Sequence, residues 1–185
     1  MRAVAALLAL ALAAPASAAT VVPVGAFEGV SLVGGGEVRL RQGPVHKVTL
    51  IEGDPAVTSV RVEKGKSLVI RACEKGCRNY KLVVEVVTPR VQAVAITGGG
   101  SIISGPGFGR ESHLAASITG GGVVDVDSLP ADAVAASIKG GGVIRTDARS
   151  SLAVSILGGG SVTYLADPQT TVSINGGGTV RRAAR

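Results

Sequence analysis

The chain has 185 residues, with 19 lysines and arginines against 13 acidic residues and a formal net charge of +6. Aromatic residues make up only 2% of it and tryptophan is absent, so a stacking platform for sugars or bases is nearly missing. No arginine-rich run with interleaved aromatics occurs, which excludes a nucleic-acid partner; the basic surplus reads as a solvated face that favours anionic surfaces weakly.

Met1 to Ala18 reads as a secretory signal peptide. Arg2 is the charged start, Ala3 to Ala14 the apolar stretch, and Ala16-Ser17-Ala18 a small-x-small cleavage site. The apolar run is too short to span a bilayer well and no later segment matches it, so no transmembrane segment is expected. Export to the periplasm or the cell surface follows. Residues 19–185 fit one structural domain, in which 19–92 form an N-terminal β-sheet portion and 93–182 a repeat region.

Within the first portion, Val38 and Leu40 alternate with Arg39 and Arg41, and Val60 and Val62 with Arg61 and Glu63. This is the two-residue period of half-buried strands. Leu68 and Ile70 precede a tight turn. Leu82 to Val87 is almost continuously apolar and is expected to be buried on both faces, with Pro89 ending it. This portion is read as a sheet that runs into the repeats and caps their N-terminal end. An earlier, isolated copy of the repeat phrase, SLVGGGEV, spans Ser31 to Val38.

Cys73 and Cys77 are the only cysteines, and the signal peptide sends them to an oxidising compartment. Glu74, Lys75 and Gly76 between them suit a three-residue hairpin loop with glycine at the left-handed position. A structural disulfide is expected, contributing only about 2 kcal/mol because the loop is so small. The C-x-x-x-C spacing lacks a thioredoxin-like setting. A zinc site would need two more soft ligands, and only His46 and His113 are on offer.

From Ala95 to Gly178 five phrases recur: AITGGGSI, SITGGGVV, SIKGGGVI, SILGGGSV and SINGGGTV. Two residues before each triplet stand Ile96, Ile118, Ile138, Ile156 and Ile174; the second residue after it is Ile102, Val124, Ile144, Val162 or Val180. Small or polar residues fill the columns between. A period near 20 residues with β-branched residues alternating inward predicts an all-β, parallel β-solenoid (β-helix-like) of five rungs. Glycine triplets serve as its corners. Three consecutive glycines would cost a helix about 3 kcal/mol relative to alanine, whereas at a corner they reach φ > 0 freely. On this reading a β-branched residue at Gly141 destabilises the domain.

The segments GVSLVGGGEVRLRQG (Gly29 to Gly43), SLVIR (Ser67 to Arg71) and YKLVVEVVTPRVQAVAITGGGSI (Tyr80 to Ile102), followed by the recurring SI-x-GGG phrases, resemble the bacterial head GIN domain family ("putative autotransporter adhesin", long catalogued as a domain of unknown function). The resemblance runs from about Phe27 to Arg182. It implies a β-solenoid exported to the cell envelope and no established catalytic residues.

The strongest candidate for chemistry is a charged patch beyond the triplets. Asp125 and Arg145 are expected to share one column on adjacent rungs, and Asp127 and Asp147 another. Carboxylates stacked about 4.8 Å apart beside an arginine would suit glycoside or uronate chemistry. Cross-rung Asp–Arg pairing is equally how a solvated strand face avoids like-charge clashes. The acid pair occurs once, without the successive GGxGxD turns that calcium repeats need. Ser117, Ser137, Ser155 and Ser173 have no general base in register and read as an outer hydroxyl ladder. Such an array could face ice or a repetitive polymer, but the neighbouring column of Thr97, Thr119, Lys139, Leu157 and Asn175 is irregular. No catalytic, cofactor-binding or metal-binding residue is assigned, and no cofactor is expected.

The leading expectation is a non-catalytic envelope module whose partner is an unknown protein or glycan; the alternative is a carbohydrate-active enzyme built on the Asp/Arg patch. The last predicted strand, Thr179 to Arg182, is followed by Arg185. Its arginines read as gatekeepers of an exposed edge that keep the chain a monomer, with the docking of an acidic partner as the alternative.

Overall fold

The structure is a computed structural model, and it describes residues 19–63, 66–73, 77 and 80–183. The signal-peptide assignment and the hairpin proposed at Glu74 to Gly76 lie outside the described residues. No helix is long and apolar enough to cross a membrane among the described residues.

The strands follow in chain order. The first portion holds β1 (Thr20–Val22), β2 (Gly29–Gly34), β3 (Glu37–Gln42), β4 (Lys47–Glu52), β5 (Ser59–Glu63), β6 (Ser67–Arg71) and β7 (Val83–Thr88). The repeats supply β8 (Ala93–Gly98), β9 (Ser101–Ser104), β10 (Glu111–Gly120), β11 (Val123–Gly140), β12 (Val143–Gly158), β13 (Ser161–Tyr164), β14 (Gln169–Asn175) and β15 (Thr179–Arg182). All belong to one 15-stranded, mostly parallel sheet.

The sheet curves until it nearly closes on itself, so that two walls share one core. The strands that enter the glycine triplets, with β6 at their edge, form the first wall, in the order β6, β2, β8, β10, the second half of β11, the second half of β12, and β14. Those that leave the triplets form the second wall: β7, β3, β9, the first half of β11, the first half of β12, β13 and β15. Strands β11 and β12 are long because each crosses from one wall to the other.

Register puts like on like. Ile70, Leu32, Ile96, Ile118, Ile138, Ile156 and Ile174 form one ladder across the first wall. Opposite it, Val38, Ile102, Val124, Ile144, Val162 and Val180 form another. Both feed a single core cluster, and each isoleucine fully withdrawn from water contributes about 1.5–3 kcal/mol.

The triplet positions are not equivalent. The first glycine has positive φ (Gly98 110°, Gly120 123°, Gly140 128°, Gly158 125°, Gly176 130°). A Cβ on Gly140 would lie 3.1 Å from the carbonyl carbon of Gly120 and nearer still to its oxygen. Backbone from the next layer fills that space. The third glycine is hemmed in by a side chain, since a Cβ on Gly142 would meet Ile118 Cγ2 at 2.7 Å. The middle glycine, Gly141, is exposed and meets nothing within 4 Å. The expectation that Gly141 is intolerant is therefore corrected: the constraint lies on its neighbours.

The early phrase at Ser31 to Val38 is no isolated copy. Strands β2 and β3 form a layer that lies between the layer of β6 and β7 and the layer of β8 and β9, with Gly34 in register with Gly98. Beyond β8 and β9 the stack follows chain order; before them it does not. Glu28 ties the early layer to both neighbours, its N–H donating to Lys66 O at 2.8 Å and its carbonyl accepting from Gln92 N–H at 2.8 Å. Lys66 Nζ also donates to the Glu28 carboxylate at 2.9 Å. That hydrogen bond and the lysine charge hold the carboxyl below its ordinary range.

The layer of β6 and β7 has no glycine triplet. Its two strands are joined through Ala72, the Cys73–Cys77 disulfide (Cα–Cα 6.1 Å) and Leu82. Ala72 N–H donates to Val33 O at 3.0 Å and Glu37 N–H to Leu82 O at 2.8 Å, which docks this link against the first complete triplet. Antiparallel strands then cover the N-terminal end of the stack, β5 on β6 and β4 on β7, with β1 beyond β4. Strand β7 is buried on one face only, not on both as its apolar run suggests. Val84, Val86 and Thr88 are buried, while Val83, Glu85 and Val87 are half-buried because β3 and β4 flank the strand in its plane and leave its outer face partly in water.

Candidate functional site

The walls' outer faces carry the residues that the core does not use. On the second wall Ile103, Asp125, Arg145, Thr163 and Arg181 form one outward column. Arg145 Nη1 donates to Asp125 Oδ2 at 2.9 Å, as adjacent-layer register predicts. The arginine side chain is 55% exposed, so the pair is largely screened by water. Asp125→Asn should accordingly change stability by less than about 1 kcal/mol, read as an almost unmoved urea midpoint.

The second expected pair does not form. Val126 is opposite Thr146, but the next paired position sets Pro130 against Asp147. Asp127, Ser128 and Leu129 are extra residues that have no counterpart between Thr146 and Asp147. They loop out of register because Leu129 turns into the core, where it is fully buried. Asp127 and Asp147 are thereby separated in register. Asp127 accepts a hydrogen bond from Ser128 Oγ at 3.1 Å. Asp147 is 4% exposed and its Oδ2 accepts from Arg149 Nη2. The expected stacking of Asp127 directly on Asp147 is therefore absent from the register.

On the first wall the serine ladder stands as the sequence suggests, Ser117, Ser137, Ser155 and Ser173 in register and half-buried to exposed. Beside it runs a column of Ala93, Ala115, Ala135, Ala153 and Thr171. From Ala115 to Thr171 this column and the serines line a shallow groove of about 350 Å³. Small side chains on consecutive layers leave this concavity, which strand periodicity does not reveal.

The remaining candidates disperse. His46 Nδ1 lies 3.3 Å from Thr88 Oγ1, and its ring packs against Phe27 with centroids 4.6 Å apart. His113 lies on β10 and pairs with the hydroxyl of Ser112 at 3.1 Å. Among the described residues no group of three or more histidine, cysteine or acidic side chains gathers at metal-binding spacing. Phe27 and Phe108 are buried, and Tyr80 and Tyr164 pack half-buried against the core.

The C-terminal end of the stack is exposed, as expected of its last strand. Val172 and Ile174 are in register with Val154 and Ile156, which are 4% and 2% exposed, yet they are 45% and 40% exposed themselves. Among the described residues, strand β14 pairs only with β12, and β15 only with β13. A cleft of about 470 Å³ opens at the end of β15 between Asp147, Arg149, Leu165, Asp167 and Arg182. Arg182 Nη1 reaches Asp167 Oδ1 at 3.4 Å.

The family described as "Putative auto-transporter adhesin, head GIN domain" matches residues 26–106 and again 107–168. No curated protein matches the sequence. Among solved structures, a "putative adhesin" from Bacteroides fragilis is similar at 19% identity and a TM-score of 0.46, over 90% of this chain and 96% of that one. A "putative adhesin" from Parabacteroides merdae shows 12% identity and a TM-score of 0.41, over 90% and 96%. A "putative cell adhesion protein" from Clostridium sporogenes shows 11% identity and a TM-score of 0.38, over 89% and 97%.

Proposed function

The chain belongs to the head GIN domain family of autotransporter-adhesin type, and we propose that it is an exported, non-catalytic binding module of the cell envelope. In this reading the two walls are the faces of a β-solenoid, the glycine triplets are its corners, and residues 19–185 act as one domain. The observation that carries it is the in-register stack itself. Each wall presents outward columns that continue from layer to layer, small and hydroxylated on the first wall and charged on the second. Such a surface suits contact with an extended or repetitive partner. Each charge on it is worth little alone, and affinity comes from many weak contacts along the stack.

The partner is a protein or glycan of the envelope, and the domain meets it as a monomer. Export is the role assigned to Met1 to Ala18. The register slip at Leu129 supports this reading over carbohydrate chemistry, because it takes Asp127 out of register with Asp147.

The test is a screen of the chain from Ala19 onward against envelope glycans and surface proteins, run beside an assay for released reducing or unsaturated sugar ends. Saturable binding without turnover is expected. Turnover that Asp125→Asn or Asp147→Asn abolishes would overturn the assignment.

A further inference from the structure

We propose that the free edge at the C-terminal end of the stack captures an extended strand of a partner protein that carries acidic side chains. The proposal rests on the binding-module reading and supplies it with a site and a partner chemistry.

Three observations converge on this end. The outer backbone groups of β14 and β15 meet no strand among the described residues, and a row of unpaired N–H and C=O groups is a template for another chain. The core is open there, with Val172 and Ile174 at 45% and 40% exposure. The opposite end is closed by the antiparallel strands β4 and β5. An added chain that crosses from one wall to the other, as β11 and β12 do, would complete the ladders of both β14 and β15 and lay alternate side chains over the exposed valine and isoleucine of β14.

Charge then selects the occupant. Strand β14, Gln-Thr-Thr-Val-Ser-Ile-Asn, is uncharged and rich in β-branched residues, so nothing on it repels a strand. Strand β15 carries Arg181 and Arg182. Arg182 is engaged by Asp167, whereas Arg181 has no ion-pair partner among the described residues. A second copy docked by a two-fold that matches like walls would set these arginines against their own symmetry mates. A strand with carboxylates at the facing positions meets Arg181 with opposite charge and gains a favourable cross-strand pair.

The experiment uses the chain from Ala19 onward and fluorescent synthetic peptides: valine alternating with glutamate, the same peptide with lysine for glutamate, and a glutamate version interrupted by proline. Anisotropy should show the glutamate peptide binding about tenfold more tightly than the lysine peptide, and the proline version failing to bind. Arg181→Glu should reverse the charge preference while leaving the melting curve in place. Binding indifferent to Arg181→Glu, no binding by any peptide, or a wild-type dimer in light scattering would each overturn the edge site. Envelope components that still bind in those cases would keep the broader module reading. Peptides that bind where no envelope component does would sink that reading and keep the edge.

Discussion

Valine in place of Gly140 should cost the fold about 3 kcal/mol or more, whereas valine at Gly141 should change it by less than about 0.5 kcal/mol. Two terms add at Gly140. Its φ of 128° lies where side chains are strained. A Cβ would also press on the Gly120 carbonyl, which is backbone and cannot rotate away. Gly141 carries neither burden, being exposed with open space around its Cα. Thermal melts of the two variants, followed by far-ultraviolet circular dichroism, decide the matter. Equal loss at both positions would mean that the triplet is needed for flexibility as a whole and not for close approach at its first residue.

Truncating one ladder at two heights should give the second large contrast. Ile138→Ala removes a side chain that is 1% exposed in the middle of the first wall. A cost of about 3–4 kcal/mol is expected, because transfer and cavity terms add. Ile174→Ala makes the same chemical change in the same column at 40% exposure, and about 1 kcal/mol should be lost. Urea unfolding gives both from the shift in midpoint at constant slope. If the two variants fell equally, the last layer would be covered in solution and the open edge would already have an occupant.

How far residues alone reach is clear from these same ladders. The inward isoleucines and valines were legible because strand pairing repeats an identical spacing, so one phrase aligned on its glycines gives the register of the next. Three things escaped for physical reasons. Asp127 and Asp147 were expected to share a column, but a single leucine inserted into the core after Asp127 accompanies a shift in the register of Asp147. The layer of β6 and β7 could not be recognised by its glycines because it has no triplet, and the disulfide link stands in that place. An exposed last edge was expected at β15, but that Val172 and Ile174 on β14 lie uncovered as well was not, because their spacing is identical to that of the buried Val154 and Ile156. The candidate patch followed the same division: Asp125 and Arg145 sit in plain register and pair as expected, while Asp127 and Asp147 lie across the slip.

The position of β2 and β3 also bears on how the domain is made. They precede every other layer in synthesis, yet they stack between β6–β7 and β8–β9. A chain emerging from its N-terminus first therefore displays a slab whose two edges wait for segments made later. The ladder can zip in chain order only from β8 and β9 onward, where each new segment finds its template already standing. The early slab, by contrast, must be held open through the interval in which β4, β5, β6 and β7 appear. Assembly of this molecule is thus two-sided at its start and one-directional afterwards, and the interval before β8 docks is the time when its nascent edges are most exposed to aggregation.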